Sequence, residues 1–517
     1  EPNMKKHLNL FDLSQKVNYK TEILAGLTVA MTMIPESLMF AILAGFPPLV
    51  GLYGAFIMGL VTAIFGGRPG LISGGAGATV VVVMALMIRA DGLEYVFAAV
   101  ILAGVIQLIV GLLKLGKFIR LVPQPVMFGF VNGLAIIIFM AQMKQFEIGA
   151  GEAATWISGT PLYTMLGLVV FTVAIIIIFP KITKAVPASL VAIIVVFIVV
   201  YVFNIETKQV VDIASVSGSL PPFHIPQVPF TWETLTIIFP FGLTMAAVGL
   251  TEGLLTLNLV DEITETKGNS NRECLAQGSA NILNGFFYGM GGCPMIAQTL
   301  VNLSAGSRAR LSGIIAALTI LLIILFGAPV IELVPIAALV GVMVMVAIGT
   351  FEWASFKALR RMPRSDIFVM ILVTLITVVL HNLALAVLIG VIISALVFAW
   401  ESAKRIRARK YIDEEGVKHY EIYGPLFFGS ITAFNDKFDV ANDPEEVIID
   451  FEESRVSDMS AIEALNKLTE KYLQSGKKLH LKHLSKDCIQ LLENADKVID
   501  VNVMEDPTYR VVVDKVD

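Results

Sequence analysis

The chain says one thing twice. Residues 26–38 read GLTVAMTMIPESL and residues 242–254 read GLTMAAVGLTEGL, sharing Gly, Leu, Thr, Ala, Glu and Leu at a constant offset of 216. A second echo, Leu-Val-Pro at 121–123 and again at 333–335, has an offset of 212. Both echoes lie in strongly apolar stretches, and each copy of the first carries a glutamate, Glu36 or Glu252. A duplicated apolar chain has few folds open to it: two copies of one bundle, related by a pseudo-twofold axis, with whatever they share at the centre.

Composition says where such a bundle lives. The 517 residues are 56% hydrophobic and 16% charged, with a mean hydropathy of +0.77, whereas soluble domains carry about a quarter charged residues. Charge gathers at the end: residues 402–517 are rich in Lys, Asp and Glu and hold no run long enough to span a bilayer. We therefore expect a cytosolic segment over 1–20, a membrane domain over 21–401, and a linker with a soluble domain over 402–517. Cys274, Cys293 and Cys488 form neither a disulfide framework nor a C-x-x-C spacing and read as apolar fillers. No basic stripe stands apart from the membrane-flanking loops, so nucleic acid is not an expected partner. The six histidines show no metal or triad spacing and there is no phosphate-binding loop, so an enzyme is not expected.

A spanning helix needs about 20 apolar residues. Candidates are 21–42, 47–66, 72–89, 93–113, 121–143, 162–180, 186–203, 235–258, 273–289, 293–306, 309–327, 331–350, 366–381 and 383–401. Threaded alternately from a cytoplasmic start, they place most Lys and Arg in the inward loops, among them Lys114, Lys117, Arg120, Lys357, Arg360, Arg361 and Arg364. The longest outward loop, 204–234, has one lysine in 31 residues. The positive-inside rule thus predicts fourteen spans in a cell (inner) membrane with both termini cytoplasmic. Seven spans separate the two GLT segments, and seven is odd, so the second copy enters inverted. Repeat one covers about 21–203 and repeat two about 235–401.

The third span of each copy begins badly for a helix. RPGLISGGAGATVVVVMALMIR (68–89) and YGMGGCPMIAQTLVNLSAGSR (288–308) open on Gly and Pro and only then turn regular. Each reads as an extended entry followed by a half-helix, from about Ala76 and about Met295, the second of about twelve residues. Half-helices of about 20 Å or less cannot cross alone. Running from opposite sides, they would bring two positive dipole ends and unpaired N–H groups together near the midplane, which makes an anion site. Ser73, Thr79, Gln298 and Thr299 add side-chain donors nearby, though each can instead bond its own helix.

A carboxylate in hydrocarbon is protonated, paired or wet. Beside an anion site, Glu36 and Glu252 repel the anion unless they hold a cation or a proton, which suits them to coupling. Thr256, one turn after Glu252, offers an oxygen to a Na⁺ there. Asn132, Gln107 and Asn258 read as packing glue. A coupled symporter is the first expectation, and an uncoupled channel or an exchanger is the alternative.

GLTVAMTMIPESLMFAILAGFPPLVGLYGAF, GGRPGLISGGAGA and GMGGCPMIAQTLVNLSAGSRARLSG resemble the sulfate permease (SulP) family, solute-carrier family 26, across nearly the whole chain. The resemblance implies a polytopic α-helical membrane protein of fourteen spans in two inverted seven-span repeats, divided into core and gate domains. It also implies elevator-like motion, a homodimer, and a sulfate, bicarbonate or dicarboxylate substrate moved with Na⁺ or H⁺. By position, the anion falls on Ser73, Gly74, Gly75, Ala76 and Gly77 of span three and on Pro294, Met295 and Ile296 of span ten. The coupling ion falls on Glu252 and Thr256. The chain departs from the cyanobacterial Na⁺/bicarbonate members in having Glu252 where they have aspartate, Ala76 where they have threonine, and Glu36 where they are apolar.

In the tail, 419–429 and 445–451 alternate like strands, while 458–475 and 485–494 read as amphipathic helices. IIDFEESRVSDMSAIEAL (448–465) resembles the STAS domain, a small α/β fold. Ser460 there reads as an N-terminal helix residue or cap rather than a phosphosite. The resemblance leaves room for a regulatory partner on this domain.

Overall fold

A computed structural model describes residues 18–484 apart from 91, 117–121, 149–154, 184–185, 214, 217 and 381–382. The chain divides into two compact units, Glu1–Val391 and Ile392–Asp517. The first opens with α1 (Tyr19–Leu43), α2 (Pro48–Phe65), the short strand β1 (Ser73–Gly74), α3 (Gly77–Ala90), α4 (Leu93–Leu112) and α5 (Gln124–Met143). A two-stranded hairpin of β2 (Glu147–Ile148) and β3 (Thr155–Trp156) leads to α6 (Thr160–Ile178) and α7 (Ala188–Val202). Then come α8 (Trp232–Thr264), α9 (Ser270–Phe286), β4 (Cys293–Pro294), α10 (Ile296–Ser304) and α11 (Leu311–Phe326). The single-turn α12 (Ala328–Ile331), α13 (Ile336–Thr350), the short basic α14 (Ala354–Arg361) and α15 (Arg364–Leu380) complete the series, and α16 (Leu383–Lys404) runs across the boundary between the units.

Each of the fourteen predicted apolar segments holds one of these helices; α12 and α14 were not foreseen. Among the described residues, eight helices are long and apolar enough to cross a membrane by length and composition. Short polar side chains set several starts: Asn18, Thr231 and Asn269 accept from the N–H of Thr21, Thr234 and Arg272. α8 runs past its predicted end at 258 to Thr264 because its polar last turns are anchored. Asp261 there pairs with Arg68 (3.2 Å) and accepts from the N–H of Gly268 (2.9 Å).

The packing is exchange-symmetric. α1 lies on α10 and α11, and correspondingly α8 lies on α3 and α4. α2 packs on α11 as α9 packs on α4, and α6 packs on α13 as α15 packs on α5. Swapping the repeats converts each pair into the other, as an internal twofold demands. Two groups emerge, α1–α4 with α8–α11, and α5–α7 with α13 and α15. The α4–α9 seam is close because glycines meet there. A Cβ on Gly104 would lie 2.6 Å from the carbonyl oxygen of Gly278, and one on Gly278 would lie 2.7 Å from that of Gly104.

The second unit is a four-stranded sheet in the order β5 (Arg407–Ile412), β6 (Lys418–Leu426), β7 (Glu446–Val456), β8 (Lys478–Lys482), with α17 (Ile431–Asn435) and α18 (Met459–Gln474). β5 and β6 form an antiparallel hairpin; β6–β7 and β7–β8 are parallel. α18 buries Ala461, Ile462, Leu465, Leu468 and Tyr472 at helical spacing against Tyr420, Ile449, Phe451 and Leu481. Its cap is Asp458, whose carboxylate accepts from the N–H of Ala461 at 2.8 Å, so Ser460 is a first-turn helix residue. β5 and β8 were missed by the strand reading, and the expected helix at 485–494 lies outside the described residues.

Candidate functional site

The two extended entries pair with each other. β1 and β4 run antiparallel with Ser73 opposite Pro294 and Gly74 opposite Cys293. The N–H of Met295 donates to the carbonyl of Ile72 at 2.9 Å, and the N–H of Ile72 donates to Thr299 Oγ1 at 3.0 Å. Because the strands are antiparallel and each feeds a helix, α3 and α10 leave the pair in opposite directions from adjoining N-termini. α3 begins at Gly77 and α10 at Ile296, each one residue after the predicted start. α10 has nine residues rather than about twelve, since Gly306, at φ +92°, turns the chain out of the helix. The first-turn N–H groups of Gly77, Ala78 and Thr79, and of Ile296, Ala297 and Gln298, have no partner within their own helices. Two positive dipole ends thus adjoin one another.

Ser73, Gly74, Ala76, Pro294 and Met295 are buried, while Gly77 and Ile296 are half-buried. The lining is apolar. A Cβ on Gly74 would meet Met33 Cε at 2.6 Å and Met295 Cε at 2.8 Å, and one on Gly75 would meet Met290 Cε at 2.3 Å. Gly77 faces Phe40 of α1 and Ile138 of α5, and so lies where the two helix groups meet. Backbone N–H groups among methyls and rings bind an anion through dipoles without a competing fixed cation. Of the four side-chain donors expected here, three are engaged. Thr79 donates to the carbonyl of Ala76, Thr299 belongs to the Ile72 junction, and Gln298 donates to Glu36. Ser73 Oγ is buried with no hydrogen-bond partner among the described residues and lies beside Met33, Gly59, Leu71 and Ala317.

Glu36 and Glu252 both reach the β4–α10 segment. Glu36, buried on α1 one residue after Pro35 inside that helix, accepts from Gln298 in the first turn of α10. Glu252 Oε2 accepts from the Cys293 thiol at 3.1 Å. Thr256 is fully buried but donates to the carbonyl of Glu252 at 2.7 Å, back onto its own helix. The donor set therefore does not fit Na⁺, a hard ion that takes several oxygens, often from unwound backbone. α8 is unbroken through Glu252, so its carbonyls there are spent within the helix, and the side chain at the carboxylate is a thiol.

The sequence reading missed two participants. Cys293, taken for a filler, touches Glu252; its place just before Pro294 in the broken span was the available signal. Asn281 of α9 grips the backbone of Gly292 twice, donating to its carbonyl (3.1 Å) and accepting from its N–H (2.9 Å). Asn281 also donates to Gln107 at 2.9 Å, so Gln107 is glue, as read, but glue that ends beside β4. Asn132 likewise serves packing, holding Ser355 and the N–H of Glu352.

Residues 19–373 match the model of the sulfate permease family. The chain belongs to that family. Residues 410–510 match the STAS domain. Among relatives, "Putative sulfate transporter YbaR" of Bacillus subtilis (strain 168) is 42% identical over 487 residues, covering 94% of this chain and 99% of that protein. "Bicarbonate transporter BicA" of Picosynechococcus sp. is 29% identical over 506 residues, covering 90% of this chain and 88% of its own. The solved transmembrane domain of a cyanobacterium bicarbonate transporter BicA aligns with a TM-score of 0.62 at 29% identity, over 74% of this chain and 98% of that one. Murine Slc26a9, an anion transporter in the inward-facing state, shares the fold with a TM-score of 0.79 at 17% identity, over 95% and 90% of the two chains. This sulfate permease family member is thus a helical membrane transporter with a C-terminal STAS domain, in a family of sulfate and bicarbonate transporters rather than enzymes.

Proposed function

We propose that this chain carries an inorganic anion of the sulfate or bicarbonate class across the cell membrane by secondary active symport. The carrying observation is the pairing of Ser73–Gly74 with Cys293–Pro294, which holds two half-helix N-termini together beside two acids from equivalent places in the repeats. The anion binds on Ser73 to Gly77 and on Pro294 to Ile296. A coupling cation on Glu252 and Glu36, for which the donor set there suits H⁺ rather than Na⁺, removes the charge that otherwise repels it. The separate packing of α1–α4 with α8–α11 supports an elevator-like motion of that group against α5–α7, α13 and α15. The charge bias of the loops supports fourteen spans with both termini cytoplasmic. We further infer a homodimer, with a linker and STAS domain over 402–517 that leave room for a regulatory partner.

The test is uptake of labelled sulfate, bicarbonate and fumarate into proteoliposomes under an imposed Na⁺ or pH gradient. Accumulation of an inorganic anion under one gradient is expected, with loss of gradient dependence in Glu252→Gln. Equilibration without accumulation would instead make the protein a channel or exchanger. Accumulation of fumarate alone would make it a dicarboxylate carrier.

A further inference from the structure

α14 is a short basic helix between two apolar ones. Three residues, Phe351 to Trp353, join it to the end of α13, and two, Met362 and Pro363, join it to the start of α15. Connections of that length reach about 11 Å at most. Because α13 and α15 fall in the predicted twelfth and thirteenth spans, α14 is held at the headgroup layer, which is about 5–8 Å deep on each side of the hydrocarbon.

Its side chains suit that layer. Trp353 and Phe356 are 57% and 55% exposed, and Leu359 and Met362 are exposed as well. The indole N–H of Trp353 donates to the carbonyl of Ile348 at 2.9 Å, and its ring lies 5.0 Å from Phe351 and 6.0 Å from Phe356, so the ring is fixed in place. Tryptophan with apolar neighbours prefers the boundary between hydrocarbon and water. Lys357, Arg360 and Arg361, spaced three and four apart, share another side of the helix, and Arg364 follows at the head of α15. All four are exposed, and among the described residues none has an acidic partner. The two acids of the stretch stand at its ends: Glu352 accepts from the N–H of Ala354 at 3.2 Å, and Asp366 lies in the first turn of α15.

Helix stability accounts for part of this charge. Arg360 and Arg361 occupy the last turn of α14, where the dipole favours cations. It does not account for Arg364, the first residue of α15, where the positive helix end disfavours one.

We propose that α14, with Trp353 and Arg364, is a binding site for the headgroups of anionic phospholipids. Lys357, Arg360, Arg361 and Arg364 hold the phosphates, while Trp353, Phe356 and Leu359 enter the uppermost acyl carbons. Arginine meets a phosphodiester through a bidentate fork, and each cation near an anionic surface adds about fivefold to the attraction. A soluble polyanion would pair with the cations but leave the aromatic side chains in water, so the occupant is lipid. The helix is braced from the protein side: Asn132, buried on α5, donates to Ser355 Oγ at 3.0 Å and accepts from the N–H of Glu352 at 2.8 Å. A bound lipid is thereby fastened to the group of α5–α7, α13 and α15.

The test is local quenching of Trp353. The full chain, carrying Trp156→Phe, Trp232→Phe and Trp400→Phe, is reconstituted in nanodiscs of phosphatidylcholine and phosphatidylglycerol at a fixed ratio, with one lipid or the other brominated on its acyl chains. Quenching should report an affinity for phosphatidylglycerol about fivefold or more above that for phosphatidylcholine, and high salt should reduce the preference. Lys357→Gln, Arg360→Gln, Arg361→Gln and Arg364→Gln together should bring the ratio to about one. Equal quenching by the two lipids without those four changes overturns the proposal, as does a preference that survives them. Protection of Trp353 from both lipids overturns it too, since protein then covers the helix. Should the tryptophan substitutions unfold the chain, the phosphatidylglycerol that the wild type and the fourfold variant retain through a detergent wash decides. The variant should keep several-fold less, and equal retention overturns the proposal. Neither readout depends on transport.

Discussion

Cys293 and Glu252 meet through a thiol–carboxylate hydrogen bond of 3.1 Å, which ties the middle of α8 to the strand that launches α10. The bond joins the proposed ion-binding group to the anion-binding backbone with nothing between them. Cys293→Ala should keep the fold and lower the initial rate of anion uptake about fivefold, the value of roughly 1 kcal/mol for one hydrogen bond. Cys293→Ser, which keeps a donor of similar length, should recover most of that rate. Equal rates in all three proteins would show that the contact carries no function.

Glycines around the paired strands differ in what blocks a side chain. A Cβ on Gly292 would sit 2.0 Å from the carbonyl oxygen of Gly74, backbone that cannot move without breaking the pair. A Cβ on Gly75 would meet only the mobile tip of Met290. Gly292→Ala should therefore cost of order 2–3 kcal/mol or more, lower Tm and abolish transport. Gly75→Ala should be milder and regain stability when combined with Met290→Ala, a coupling that a double-mutant cycle by thermal unfolding will read.

Glu22 caps a helix distant in sequence. Its carboxylate accepts from the N–H groups of Arg308 (2.8 Å), Ala309 (3.0 Å) and Ser312 (3.0 Å) at the start of α11. Glu22→Ala leaves these buried donors without a partner beside a positive helix end. We expect a loss of about 2 kcal/mol, seen as a lower Tm in detergent, with Glu22→Gln losing less.

In the STAS unit, Asp443 is buried and accepts from Lys418 (2.5 Å), Tyr420 (2.8 Å) and Tyr472 (2.5 Å). Burial opposes its ionisation, but the hydrogen bonds from Lys418, Tyr472 and Tyr420 outweigh it and hold the carboxyl below its ordinary value. A depressed carboxylate stabilises the fold above its unfolded pKa of about 3.9 and loses that contribution as pH falls through the lower folded value. Hydrogen exchange in α18 and β8 of the full chain should accordingly quicken below about pH 4. Asp443→Asn should quicken exchange already at neutral pH and flatten that acid dependence.

What the residues announce directly is whatever depends on short-range periodicity and duplication. Apolar runs located the helices, and Gly and Pro marked the breaks at β1 and β4, because each of these is a property of neighbours in sequence. β8 was not legible in the same way: a five-residue strand beside Gly476 gains its stability from the parallel partner β7, which local pattern does not contain.

By itself the sequence determined an inverted duplication of apolar helices with an acid in each copy, since hydrocarbon leaves an apolar chain little besides spanning helices. Only the tertiary structure decided what those acids touch. The 216-residue offset makes Glu36 and Glu252 equivalent, but the pairing of Ser73 with Pro294 brings one segment against both, so their partners are unlike, Gln298 and Cys293. A repeat in sequence is local information, whereas a contact across 262 residues exists only after the helices pack.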